Sequence, residues 1–325
     1  MPGEFDPSHE VADEMPDYGA RLDALAVELE LPEHALSERG RSVAVTLLEE
    51  HWREHGDKSK ETYKPYHGGE HPLDIIGRSW RLIKILAEIL PNRFDSLMYE
   101  LGAIAGAGHD VINKPGAPVG QNERRSAKRT GTLMREAGYG EPEIERVEDA
   151  IITTTVTRNA EGVIIQTNMR VGSRDALKPI VAEADINGII MEGVPTMVRD
   201  VFNLFLEFSG GSLEEVFHNP TGAADFFRTQ AQFLEDRLAV IDQDLGYYFS
   251  EKEKDLIQAA YAQEFNGRTR DALAAARVLF RFSKLPEEII RTALTRTEDM
   301  ASAGTDRFMQ LKHYLVEVLT RSHDG

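Results

Sequence analysis

Leu73, Ile76, Trp80, Ile83, Ala87 and Leu90 recur at steps of three and four, which predicts an amphipathic helix with one buried face, ended by Pro91. Upstream, Leu22, Leu25, Val27 and Leu29, and then Val43, Val45, Leu47, Leu48 and Trp52, predict two further helices separated by Leu31-Pro32. Lys58 to Gly69 is polar and holds Pro65 and two glycines, so it reads as a loop. Leu97, Leu101, Ile104 and Ala105 mark the next helix, whose small residues from Ala103 to Gly108 allow close packing. Asn113, Pro115, Gly116, Pro118 and Gly120 make 112–122 irregular; helices resume over Glu123–Ala137 and Ile144–Ile152.

The β-branched run Thr153-Thr154-Thr155-Val156 predicts a strand over Ile151–Val156 or Val163–Thr167, with a short hairpin around Asn159–Gly162. Pro179–Met191 reads as a helix carrying Asp185, followed by the apolar run Val198–Phe208, which Gly210-Gly211 breaks. Ala223–Leu245 reads as a long helix, with Gln230 and Phe233 sharing a strip beside its apolar face. Beyond Ser250 the pattern restarts at Leu256 and Ile257, at Ala272 to Phe282, at Pro286 to Leu294 and at Phe308 to Val318. The expected fold is mostly α, with a disordered N-terminus over 1–20, a principal domain over 21–250 and a helical extension over 251–325.

Composition narrows the function. The chain has no cysteine, which removes disulfides, thiolate ligands and thiol nucleophiles and makes the cytoplasm the expected location. Its net charge of −18 argues against a nucleic-acid polymer or an anionic membrane as partner. No apolar run reaches the roughly 18 to 20 residues of a spanning helix, and the acidic opening MPGEFDPSHEVADEMPDYG lacks the features of a signal peptide.

The chemistry gathers at a few positions. His67 and His71 lie four apart at the start of the predicted 73–90 helix, His109-Asp110 ends the small-residue helix, and Asp185 sits inside an apolar one. A buried carboxylate is costly unless paired or bound to a cation. His71, His109, Asp110 and Asp185 together offer two imidazoles and two carboxylates, a set suited to Mn²⁺, Fe²⁺, Mg²⁺ or Zn²⁺ with positions left for water and substrate. His67 then sits beside the metal and can protonate a leaving oxygen. The remaining histidines (His9, His34, His51, His55, His218, His313 and His323) read as solvated or structural.

In order and type these residues resemble the HD-domain superfamily of metal-dependent phosphohydrolases, and most closely the catalytic domain of class I cyclic-nucleotide phosphodiesterases. Tyr66-His67-Gly68-Gly69-Glu70-His71 resembles that family's Tyr-His-Asn-x-x-His, Gly108-His109-Asp110-Val111 its His-Asp-Val, and Ala184-Asp185-Ile186-Asn187 its Ala-Asp-Leu-Ser. The resemblance spans about 45–250 and implies a helical bundle with additional C-terminal helices. His67 is by this likeness the general acid, and His71, His109, Asp110 and Asp185 are the metal ligands, with Asp110 also catalytic as the bridge to any second metal. Thr229-Gln230-Ala231-Gln232-Phe233-Leu234 is similar to the family's Ser-Gln-Val-Gly-Phe-Ile, so Gln230 and Phe233 are implied to hold a base. Thr154 and Asn113 join them as substrate-binding candidates near the metal. Asn113 stands where the family has a histidine, Gly68 replaces an asparagine, and the Glu-Asn-His-His segment is missing. One bound metal is therefore the firmer expectation over two.

The implied activity is metal-dependent hydrolysis of a small phosphoester, a nucleotide or even a cyclic nucleotide. The alternatives are a nucleotidase or other phosphomonoesterase on the same site, or a non-catalytic regulatory or binding module. Arg124, Arg125, Lys128 and Arg129 are candidate phosphate contacts, although four cations within six residues of one helix cannot all face one pocket and most are expected at the surface; a homo-oligomer is left open.

Overall fold

A computed structural model describes residues 14–58, 60–158 and 246–265, shorter stretches between 164 and 192, and single positions at 200, 203, 204, 207, 229, 232 and 233. Eight helices are built in this part: α1 (Tyr18–Glu28), α2 (Glu38–His51), α3 (His71–Ile89), α4 (Ser96–Gly108), α5 (Gln121–Glu136), α6 (Glu141–Thr153), α7 (Leu177–Ile186) and the short α8 (Gly188–Glu192). Residues 251–265 are also helical. Among the described residues the fold is all-α apart from one small hairpin, and no helix is long and apolar enough to cross a membrane.

The helix starts follow local chemistry. Asp17 accepts from the Ala20 N–H at 2.9 Å, Ser37 from Gly40 at 3.2 Å and Asp95 from Met98 at 3.2 Å, each satisfying an orphan donor of a first turn. Pro72 occupies the first turn of α3, where its missing N–H costs nothing. Past His51, α2 continues as a π-helical turn over Trp52–Gly56.

α3 is the centre of the packing. Its predicted stripe is buried, with Ile76, Trp80 and Ile83 all at 0% exposure. Trp80 donates its indole N–H to the Tyr99 carbonyl at 2.8 Å, so the largest core side chain is also polar-satisfied. α4 packs on it, and glycines set the approach: a Cβ on Gly106 would stand 3.1 Å from the Ile76 backbone nitrogen, and one on Gly102 2.9 Å from Ile83 Cδ1. The small residues of α4 thus let two backbones come together just where α4 ends in His109-Asp110.

The structure departs from the sequence expectation at the triple threonine. Ile151–Thr153 belongs to α6, and the first strand starts only at Val156; the expected strand within Val163–Thr167 and the short hairpin are present, as β1 (Val156–Arg158) pairs antiparallel with β2 (Ile164–Gln166), Val156 opposite Gln166. The threonine run ends the helix because each hydroxyl bonds back to a carbonyl, Thr153 to Asp149 at 2.7 Å and Thr154 to Ile151 at 2.8 Å. The helix predicted from Pro179 to Met191 is helical at every described position, as α7 and α8, with residue 187 between them outside the described residues. The first helix after Ser250 buries Ile257 and Phe265 in the same hydrophobic core as α3 and α4. The predicted segments Val198–Phe208 and Ala223–Leu245 lie largely outside the described residues, as do residues 1–13 and 266–325.

Arg78 ties α3 to α8 and to Asp200. It is 1% exposed, binds Glu192 at 2.9 and 3.2 Å and Asp200 at 3.3 Å, and donates to the Ala184 carbonyl at 3.4 Å. That last contact falls on the residue before Asp185. Removing the guanidinium leaves its carboxylate partners short of countercharge in a low-dielectric setting. Arg78→Met should therefore lower the unfolding free energy by about 3 kcal/mol, measured by urea denaturation, although it conserves most of the side chain's volume.

Candidate metal centre

The loop of residues 57–70 delivers His67 and turns into α3 at His71. The turn is tight: a Cβ on Gly68 would lie 2.4 Å from the Lys64 carbonyl oxygen, and the His71 N–H donates to the Gly68 carbonyl at 3.2 Å. Any side chain at this position would therefore clash with backbone, so the glycine is a steric requirement of this loop.

From α3, from the end of α4 and from α7, four side chains converge. His71 Nε2 lies 3.2 Å from His109 Nε2 and 3.4 Å from Asp185 Oδ1. His109 Nε2 lies 3.5 Å from Asp110 Oδ2 and 3.8 Å from Asp185 Oδ1. One donor atom each from His71, His109 and Asp110 falls within 4.8 Å of the others. His71 and His109 are buried at 4% and 1% exposure.

Burial and neighbouring groups shift the donor atoms in different directions. His109 Nδ1 faces the Gly106 carbonyl at 2.8 Å; a carbonyl only accepts, so Nδ1 carries the proton and Nε2 points a lone pair into the cluster. Burial, and after it the closeness of the His109 imidazole, lowers His71 well below the usual imidazole range. Burial alone would raise Asp110, but the surrounding imidazoles of His109, His67 and His71 bring its carboxyl below the ordinary range. Asp185 is raised, first by burial and then by the charge of Asp110, against the pull of His109. Two carboxylates and two imidazole lone pairs packed this closely form a set that fits a divalent cation.

His67 faces Asp110 Oδ2 at 3.7 Å through Nε2. Its other nitrogen, Nδ1, lies 2.7 Å from Glu207 Oε1, while Glu207 Oε2 accepts from the backbone N–H groups of His67 at 3.0 Å and Tyr66 at 3.3 Å. Burial opposes a charge on His67, but the Glu207 hydrogen bond and the Asp110 charge outweigh it and hold the imidazole pKa above its ordinary value. Sequence reading missed Glu207. The available signal was a carboxylate in the middle of an apolar run, the same signal that singled out Asp185.

These groups open onto a cavity of about 940 Å³. Asn113 and Thr154 line it, as do His67, Asp110, Asp185 and Glu207. Asn113 is held by Lys64, whose Nζ donates to its carbonyl at 2.9 Å and its Oδ1 at 2.5 Å. Thr154 is 4% exposed. The cations in the lining are Lys60, Lys64 and Lys114, and none of the four basic residues early in α5 is among them. Arg124 and Lys128 are exposed, Arg129 pairs with Glu50, and Arg125 and Arg129 line a separate recess of about 400 Å³. Phe233 is half-buried and is not among the described residues lining the larger cavity; Gln230 lies outside the described residues.

No protein-family model, curated protein or solved structure matches the chain. The cluster's chemistry is therefore read from its own atoms.

The Gly68 turn gives a direct check on this geometry. Gly68→Ala should cost about 2 kcal/mol in urea denaturation, because the added methyl meets a backbone carbonyl that cannot rotate away.

Proposed function

We propose that the chain is a metal-dependent phosphohydrolase of the HD-domain type, acting on a small phosphoester, with nucleotides the favoured class. The observation that carries this reading is the convergence of His71, His109, Asp110 and Asp185, in which His109 lies 3.2 Å from His71, 3.5 Å from Asp110 and 3.8 Å from Asp185, and His71 3.4 Å from Asp185, with a fifth group, His67, 3.7 Å from Asp110 on the cavity side.

Under this reading the four residues hold one divalent cation, Mn²⁺, Fe²⁺, Mg²⁺ or Zn²⁺, which when bound supplies Lewis acidity toward phosphoryl oxygen and water. The protein's own groups do the rest. Glu207 accepts from His67 Nδ1 and so turns Nε2 toward the cavity with its proton retained. As a water oxygen bonds to phosphorus, its proton passing to solvent, the bond from phosphorus to the ester oxygen breaks, and that oxygen takes the Nε2 proton and departs as an alcohol. Lys64 and Lys114 in the wall provide cations for the substrate's anionic oxygens, and the buried carboxylates keep the cluster selective for cations.

The test is a hydrolysis screen of cyclic nucleotides and linear nucleoside monophosphates with each of the four metals. Turnover of the cyclic compounds identifies a phosphodiesterase; turnover of the monophosphates alone identifies a phosphomonoesterase. Asp110→Ala should lose bound metal and turnover together, read by elemental analysis and by product formation; full activity in this variant refutes the assignment. His67→Asn should keep its metal and lose about a hundredfold or more in kcat, the usual contribution of a positioned acid.

A further inference from the structure

His51, the last residue of α2, was read from sequence as structural or solvated. It is 0% exposed and stands between the two halves of the site. Its Nε2 is 2.7 Å from the His67 carbonyl oxygen, and its Nδ1 is 3.1 Å from the Asp110 carbonyl oxygen. These are the backbones of the two residues whose side chains face each other at 3.7 Å across the cavity. We propose that His51 is a positioning residue for the reaction, its ring a crossbar that donates from Nε2 to the His67 carbonyl and abuts the Asp110 carbonyl with Nδ1, fixing the proton donor against the ligand carboxylate. The inference rests on the hydrolase reading for its effect on turnover, and on the contacts alone for the crossbar itself.

Both partners are carbonyls and can only accept. A ring with one N–H can serve only one of them. Of the two contacts the Nε2 one is the shorter, 2.7 against 3.1 Å, so it is the one that takes the proton. The Nδ1 contact is then a steric stop held by packing, and His55 closes over the ring edge-on at 5.2 Å between centroids. The ring is rigid, so the two carbonyls cannot drift apart while both contacts persist. Loop 57–70 and the end of α4 are otherwise linked near this point through the Lys64–Asn113 bonds.

The test compares His51→Phe, which keeps a ring without an N–H, with His51→Gln and His51→Asn, whose amides place an N–H near the Nε2 and Nδ1 positions respectively. Two esters are used with the metal-loaded protein, a nucleotide whose leaving alkoxide needs a proton and a p-nitrophenyl phosphoester whose leaving group departs without one. His51→Phe should lose about a hundredfold in kcat on the nucleotide, with KM little changed, and far less on the p-nitrophenyl ester, since misplacing a reacting group by an ångström has that scale of effect. His51→Gln should recover most of the loss and His51→Asn little of it. Equal losses on the two esters, or recovery by Asn in place of Gln, overturn the proposal.

A Mn²⁺ titration provides the readout that needs no turnover. His51→Phe should weaken Mn²⁺ binding by about tenfold, the usual scale for a group that supports a ligand, with His51→Gln closer to wild type. Unchanged affinity in His51→Phe overturns the crossbar. If the wild-type protein hydrolyses neither ester, the hydrolase reading fails and this titration alone decides on His51. Should His51→Phe fail to fold by circular dichroism, the Gln and Asn variants carry the same comparison.

Discussion

Like charges and like lone pairs do not gather in a protein interior without a reason. At the end of α4 two carboxylates and two imidazole nitrogens approach to 3.2–3.8 Å in a setting where His71 and His109 are almost sealed from water. Their mutual repulsion must be offset by the folding energy of the helices that carry them, and a cation, if bound, would relieve it. The depth of α3 and α4 in the core is what makes this arrangement affordable. Trp80, Ile83 and Leu101, all at 0% exposure, anchor the helices whose ends hold His71 and Asp110.

The parts of this arrangement that were legible in the sequence are those written in local pattern. The α3 stripe, the small residues of α4 and the punctuation by Pro91 and Gly120 each depend on neighbours within a turn or two, and the helices follow them closely. His71, His109, Asp110 and Asp185 stood out because polar, ligand-type side chains lay at ends or inside runs that burial would otherwise reserve for apolar ones. The triple threonine misled because β-branching favours strands on average, whereas here the hydroxyls found carbonyls one turn back and ended a helix.

What was not legible depends on contacts across long stretches of chain. Glu207 meets His67 and His51 meets Asp110 only after the helices have packed, and no spacing in the sequence announces either pair. The basic cluster early in α5 follows helix geometry. Four cations within six residues of one helix cannot all face one pocket, most of them lie at the surface as that limit predicts, and Lys64 and Lys114, from two loops, stand at the cavity. Charge density along a sequence is a weak guide to charge density inside a pocket.

Arg78 has an electrostatic side beyond its mechanical one. Its guanidinium is a permanent positive charge set behind the cluster, and it pulls the pKa of His71, of Asp185 and of Tyr66 in the same direction, downward, as one of the smaller contributions to each. For an imidazole that pull favours the bare nitrogen, and for a carboxyl it favours the bare anion. A background potential of this sign lowers the proton's ability to compete for the sites a metal would occupy. The cluster is thereby biased toward an open, deprotonated state by a residue that touches none of its donor atoms.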